Sequence, residues 1–121
     1  MSDFITKDSG ERQDYDSGMR RDTTHDKPRF GDLIIDGIPY EEQLLTRYAM
    51  LRTRGAVKYG PRNCELANSQ EEADRFKDSA FRHFMQWYTG ELDEDHAAAT
   101  LFNIQLAEMV KYRVDNPLDN N

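Results

Sequence analysis

The sequence predicts an all-α fold, a compact bundle of three main helices behind an extended N-terminal segment. Three observations carry that expectation. Apolar residues recur at helical spacing in three stretches, near 44–51, 73–87 and 98–110. Start and stop residues bracket those stretches: Ser69 and Glu72 are spaced as a capping box, Gly90 sits where a helix should stop, and Asp93 or Asp95 can cap the next. At 121 residues the chain is long enough for one modest core and too short for two.

Composition then narrows the function classes. A formal net charge of −7 and a pI near 4.9 argue against a protein that tracks nucleic-acid phosphates, which needs a basic face. An acidic protein still binds nucleotides when metal ions bridge the two negative partners. The single Cys64 excludes an intrachain disulfide and a cysteine-rich zinc site, and it suits a reducing cytoplasm. No apolar run approaches a membrane span, and the opening residues lack the apolar core of a signal peptide. The expectation is a cytoplasmic protein with neither nucleic acid nor membrane as partner.

Residues 1–26 are rich in Asp, Ser, Gly, Arg and Thr and hold too few large apolar side chains to offset the entropy of ordering, so composition makes them a tail. Next, Lys27-Pro28-Arg29-Phe30 leads into Leu33 and Ile35. That stretch reads either as a linker anchoring its apolar residues or as a segment presenting Lys27 and Arg29 to an anion. The helical domain is expected over 27–113, with a polar tail over 114–121.

The first helix is expected from 39 or 40 to 54, with Leu44, Leu45, Tyr48 and Leu51 on one face, Pro39 in the first turn and Gly55 as its end. Glu41 and Glu42 suit the positive end of its dipole better than they suit a metal. Beyond it, Gly55-Ala56-Val57-Lys58-Tyr59-Gly60-Pro61-Arg62-Asn63 reads as a loop whose free backbone N–H groups favour a phosphate.

The second helix runs from Ser69 to Gly90. Its inner row is Ala73, Phe76, Ala80, His83, Phe84 and Trp87, and its charged row is Asp74, Asp78 and Arg82, where Asp78 with Arg82 also reads as a surface pair. The third helix, from Asp93 or Asp95 to about 112, is apolar on more than one side, which implies cover from a second subunit. Buried polar side chains need partners, so His83, His96 and Asn103 are expected to form one network across these two helices. Between them, Gly90-Glu91-Leu92-Asp93-Glu94-Asp95-His96 gathers carboxylates and an imidazole, donors suited to magnesium or manganese, although capping accounts for part of the cluster.

Taken in order, Ser17-Gly18-Met19-Arg20-Arg21-Asp22-Thr23, Lys27-Pro28-Arg29-Phe30, Gly55-Ala56-Val57-Lys58-Tyr59-Gly60 with Arg62-Asn63, Ala80-Phe81-Arg82-His83, and Gly90-Glu91 leading to His96 and Asn103 resemble the phage dATP/dGTP diphosphohydrolases of the MazZ type. These are similar to the MazG-like, all-α nucleotide pyrophosphohydrolases. The resemblance implies a MazG-like homodimer or homotetramer that uses Mg2+ or Mn2+. Its implied activity is hydrolysis of purine deoxynucleoside triphosphates, dGTP first and dATP second, to the monophosphate and pyrophosphate. The dGMP would supply synthesis of the 2-aminoadenine nucleotide of modified phage DNA. On this reading Asp78, Glu91, Asp93, Asp95 and Glu72 are the metal-ligand candidates, while His83, His96 and Asp78 serve catalysis. Lys27, Arg29, Lys58, Asn63 and Asn103 contact the nucleotide, and the N-terminal segment becomes a strap folded near it. The chain departs from the pattern at Ala99, where relatives carry a second histidine, and at Cys64, where they tend to carry tryptophan. The alternative reading, motivated by the acidic charge and the broad apolar third helix, is a non-catalytic phage helical adaptor or host-protein inhibitor.

Overall fold

Helical periodicity becomes three α-helices in the computed structural model, which describes residues 12–14, 16–22 and 27–117. They are α1 (Leu44–Tyr59), α2 (Gln70–Tyr88) and α3 (His96–Asp115). The chain divides into two units, Met1–Asp36 and Gly37–Asn121, with all three helices in the second. In the first, strands β1 (Arg12–Asp14) and β2 (Arg20–Asp22) pair antiparallel with Gln13 opposite Arg21, and a 3₁₀ turn spans Phe30–Leu33. A hairpin this short is marginal by itself, and the exposed Arg20–Asp14 ion pair at 3.2 Å adds little. The expectations for residues 1–11, 15, 23–26 and 118–121 lie outside the described residues.

The first helix differs from the sequence expectation at both ends. Tyr40–Glu42 forms a separate 3₁₀ turn, and buried Gln43 breaks the chain there with an extended ψ of 137°, its side-chain amide donating to the Ile38 carbonyl at 2.8 Å. At the far end Gly55 lies inside α1. A glycine in a helix interior costs about 1 kcal/mol relative to alanine, which tertiary contacts readily absorb. The stop is instead Gly60, whose φ of +99° favours glycine, followed by Pro61, which turns the preceding residue away from helix.

Local chemistry sets α2 as expected. Ser69 Oγ accepts from the Glu72 N–H, and Glu72 Oε1 accepts from the N–H groups of Asn68 and Ser69. Gly90, with φ +84°, lets the chain leave the helix. The short turn that follows folds α3 back antiparallel on α2, with Val110 over Ala73 near one end and the two histidines facing each other near the other. Ala67 and half-buried Phe76 and Met109 complete the small core at the Val110 end, and Phe76 meets Phe102 edge-on at 6.3 Å between ring centres.

Further along α3, Leu106 and Ala98 are fully buried. The helix continues past the expected end near 112 to Asp115. On α2, Phe84 and Trp87 remain largely exposed although they belong to the expected inner row, because α1 packs on α3 and leaves that end of α2 uncovered. Arg47 reaches Asp95 and Arg52 reaches Gln105, so α1 runs in the same direction as α3. Among the described residues no helix is long and apolar enough to cross a membrane.

Candidate functional site

The α2–α3 turn is built by ordinary backbone chemistry. The N–H groups of Thr89, Gly90 and Glu91 donate to the carbonyls of Met85, Trp87 and Gln86, closing α2. Asp95 then caps α3, its Oδ1 accepting from the Ala98 N–H at 3.1 Å. The same carboxylate takes two N–H groups from Arg47, at 2.9 and 3.3 Å, and that hydrogen bonding above all holds Asp95 below the usual aspartate range. Asp95 is thus occupied as a cap and as the tie to α1.

Its neighbours are differently placed. Asp93 Oδ1 lies 2.7 Å from His96 Nε2, and the contact with His96 is the largest influence keeping Asp93 ionised below its ordinary range. His96 is almost wholly buried and faces buried His83 with the two Nδ1 atoms 2.9 Å apart. That gap holds one proton, and the network assigns it. Arginine only donates, so Arg82, 3.5 Å from His83 Nε2, leaves that nitrogen unprotonated and His83 carries its proton on Nδ1. His83 then donates to His96 Nδ1, and His96 donates from Nε2 to Asp93. Burial, with Arg82 second, lowers the pKa of His83 and keeps it neutral. The result is a hydrogen-bond chain running from the covered helix interface out to an exposed carboxylate.

Asp93, Glu94 and His96 each offer one ligand atom, and these atoms lie within 4.8 Å of one another. Both carboxylates are exposed and His96 is buried, so a cation there would have two mobile oxygen donors and one fixed nitrogen. Glu94 was not among the sequence candidates. Its signal was its place between Asp93 and Asp95 in the acidic turn, but only the turn geometry separates it from Asp95.

The remaining candidates do not all converge on this point. Glu91 is exposed in the same turn. Glu72 is engaged at the N-cap of α2, eleven residues and roughly 17 Å along the helix from His83. Asp78 is exposed on the far side of α2 from buried Ala80. Buried Asn103 does not join the histidines: its amide donates to the Ala99 carbonyl at 2.8 Å, and seven residues put it about 10 Å along α3 from His96.

Lys58 sits in the last turn of α1, with its ammonium 5.0 Å from the Tyr59 ring centre. The phosphate loop expected over 55–63 is therefore not formed. Its backbone N–H groups are largely spent in the helix, and the negative end of the dipole there disfavours phosphate. Asn63 is exposed at the start of a 3₁₀ turn, Asn63–Leu66. Lys27 and Arg29 are exposed in the first unit, Arg29 lying 3.5 Å from Asp32.

Two features carried no sequence signal. Glu65 accepts from Arg52 at 2.7 Å and from Arg62 at 3.2 Å, while its backbone carbonyl takes a hydrogen bond from Arg113, which also reaches the Ala67 carbonyl at 2.9 Å. This cross-brace locks the Asn63–Leu66 turn between α1 and α3. A cavity of about 580 Å³ opens beside it, bounded by α1, the turn and Phe102.

A family model described as dATP/dGTP diphosphohydrolase, N-terminal, matches residues 20–116, which takes in β2, all three helices and the acidic turn. No curated protein and no solved structure matches the chain. Spanning most of the sequence, the family match agrees with the ordered motifs and with the all-α bundle, and the chain belongs to the dATP/dGTP diphosphohydrolase N-terminal family.

Proposed function

We propose that the chain hydrolyses a purine deoxynucleoside triphosphate, dGTP and also dATP, to the monophosphate and pyrophosphate, with Asp93, Glu94 and His96 holding a divalent cation. The observation that carries this reading is the clustering of three ligand atoms on one buried histidine and two exposed carboxylates. Two adjacent negative side chains repel a triphosphate, so the turn suits that substrate only with a cation between them. The donor set fits. Oxygen donors suit Mg2+ or Mn2+, and the imidazole favours the latter. Such an ion polarises phosphate oxygens and acidifies water.

The residues of the chain supply the rest. For His96 to ligate through Nε2, its proton has to sit on Nδ1, where His83 Nδ1 accepts it; the His83 proton then sits on Nε2, and the exposed Arg82 side chain has to turn away from that nitrogen. Asp95, pinned by Arg47, fixes the start of α3 and hence the direction of His96. His83 is a positioning residue on this account.

The exposed Leu101, Ile104, Phe81 and Trp87 support a homodimer or homotetramer, since a monomer would leave them wet. The dGMP product would feed synthesis of a 2-aminoadenine nucleotide in the cytoplasm of a phage-infected host. Incubation with each dNTP and Mn2+, followed by chromatography, tests the reading. Pyrophosphate and dGMP from dGTP are expected; no pyrophosphate from either purine substrate would leave the non-catalytic adaptor in its place.

A further inference from the structure

We infer that the cavity between the C-terminal half of α1, the 60–64 turn and Phe102 is the subsite for the purine ring, an inference that rests on the hydrolase reading and deepens it. The first reason is an unexplained glycine. Gly55 lines this cavity within α1, its φ is not positive, and a Cβ built on it would meet nothing within 4 Å. Neither backbone conformation nor internal packing therefore requires glycine at a position where alanine makes a better helix. Open space kept clear on the wall of a cavity is what a flat ligand needs.

The second reason is the chemistry of the walls. Leu51, Tyr59 and Phe102 present apolar and aromatic surface, and about 580 Å³ lies within the range of small-molecule sites. Stacking on such surface accepts any base, so selection has to come from polar groups at the edge. Arg52 divides its donors between Glu65 and Gln105, whereas exposed Arg62 reaches Glu65 through Nη1 alone, which leaves guanidinium N–H donors of Arg62 beside the cavity. Arg62 is held in the left-handed region, φ +58°, the one non-glycine residue with positive φ among those described. Next to it the Asn63 backbone N–H donates to the Gly60 carbonyl, and its exposed side-chain amide has no hydrogen-bond partner among the described residues.

Guanidinium N–H groups match the N7 and O6 acceptors of guanine, and an amide, which donates and accepts, matches the N7 and N6 edge of adenine. A pyrimidine has no N7. This edge therefore explains acceptance of both purines at one site. The phosphates need not enter the cavity: Phe102 is six residues from His96, about 9 Å along α3, a span one nucleotide can cover.

Titration calorimetry of the full chain in EDTA with dGMP, dAMP and dCMP tests the subsite without turnover or metal. Both purine monophosphates are expected to bind, and dCMP to bind at least about tenfold more weakly. Gly55→Leu, which fills the cavity, should weaken dGMP about tenfold while raising or preserving the melting temperature. If that variant misfolds, Asn63→Ala on the surface serves instead, and it should shrink the preference of dAMP over dCMP. No dGMP binding to the parent, equal binding of dGMP and dCMP, or parent-like purine binding and selectivity in the variants would overturn the inference. Purine-selective binding by a chain that releases no pyrophosphate would retain the subsite and remove the hydrolase reading, so the two failures are distinguishable.

Discussion

Two carboxylate-bearing turns flank the helices, and they are wired in opposite ways. Glu65, in the turn before α2, is clasped by Arg52 and Arg62, and its own carbonyl is taken by Arg113. Asp93 and Glu94, in the turn after α2, are exposed beside one buried imidazole and, among the described residues, have no arginine hydrogen-bonded to them. Between these extremes stands Asp95, one residue beyond Glu94 and yet fully committed to Arg47 and the α3 cap. The difference teaches that residue type and spacing nominate acidic residues, whereas pairing separates those that hold the fold from those left open to a ligand.

The largest expected effect breaks the comparison at its open end. Asp93→Asn removes charge from a hard-cation site and ends the ionic hydrogen bond from His96, so turnover of dGTP should fall by about 100-fold or more with a nearly unchanged melting temperature. Glu65→Gln should do the reverse, lowering the melting temperature while Mn2+ binding, measured well below that temperature, stays near that of the parent.

A smaller effect belongs to Asp95. Its replacement by alanine removes an N-cap worth about 1 kcal/mol and strands Arg47, so thermal unfolding should shift downward, and Asp95→Asn should recover most of the cap but not the ion pair. If Asp95→Asn instead melted normally and lost turnover as Asp93→Asn does, the division drawn within this turn would be wrong.

The smallest effect is a pH slope. Hydrogen bonding from Arg52 above all, with Arg62 adding to it, holds Glu65 below the ordinary glutamate range. A carboxylate with a depressed folded pKa contributes stability that is fully present above its unfolded value, about 4.3, and is lost as pH falls through the folded value. Melting temperature should therefore decline below about pH 4, and Glu65→Gln should make that decline shallower. Asp93, Asp95 and Glu72 are depressed too, so the slope should flatten without vanishing.

Much of the fold was legible because its signals are local. The capping box at Ser69 and Glu72 and the stop at Gly90 each act within a few residues and are used, and of the two caps offered before α3 the structure uses Asp95. The His83–His96 pairing was legible for another reason: a polar group on an apolar helix row has to find a partner. What stayed hidden depends on distant residues. Arg47 meets Asp95, and Arg113 meets Glu65 and Ala67, across separations with no sequence pattern of their own. Gly55 misled because glycine permits a helix end without requiring one, and the stronger stop at Gly60 and Pro61 decided the matter. Within the acidic turn the cap at Asp95 was legible, but the Arg47 pair that closes the rest of its carboxylate to a ligand was not.

The most direct measurement is a calorimetric titration of Mn2+ into the parent chain, Asp93→Asn and Glu65→Gln at a temperature where all three are folded. Saturable binding to the parent and to Glu65→Gln, with binding to Asp93→Asn weakened at least about tenfold, is the predicted result. Parent-like binding by Asp93→Asn, or loss of binding in Glu65→Gln alone, would contradict the assignment of the α2–α3 turn as the metal centre.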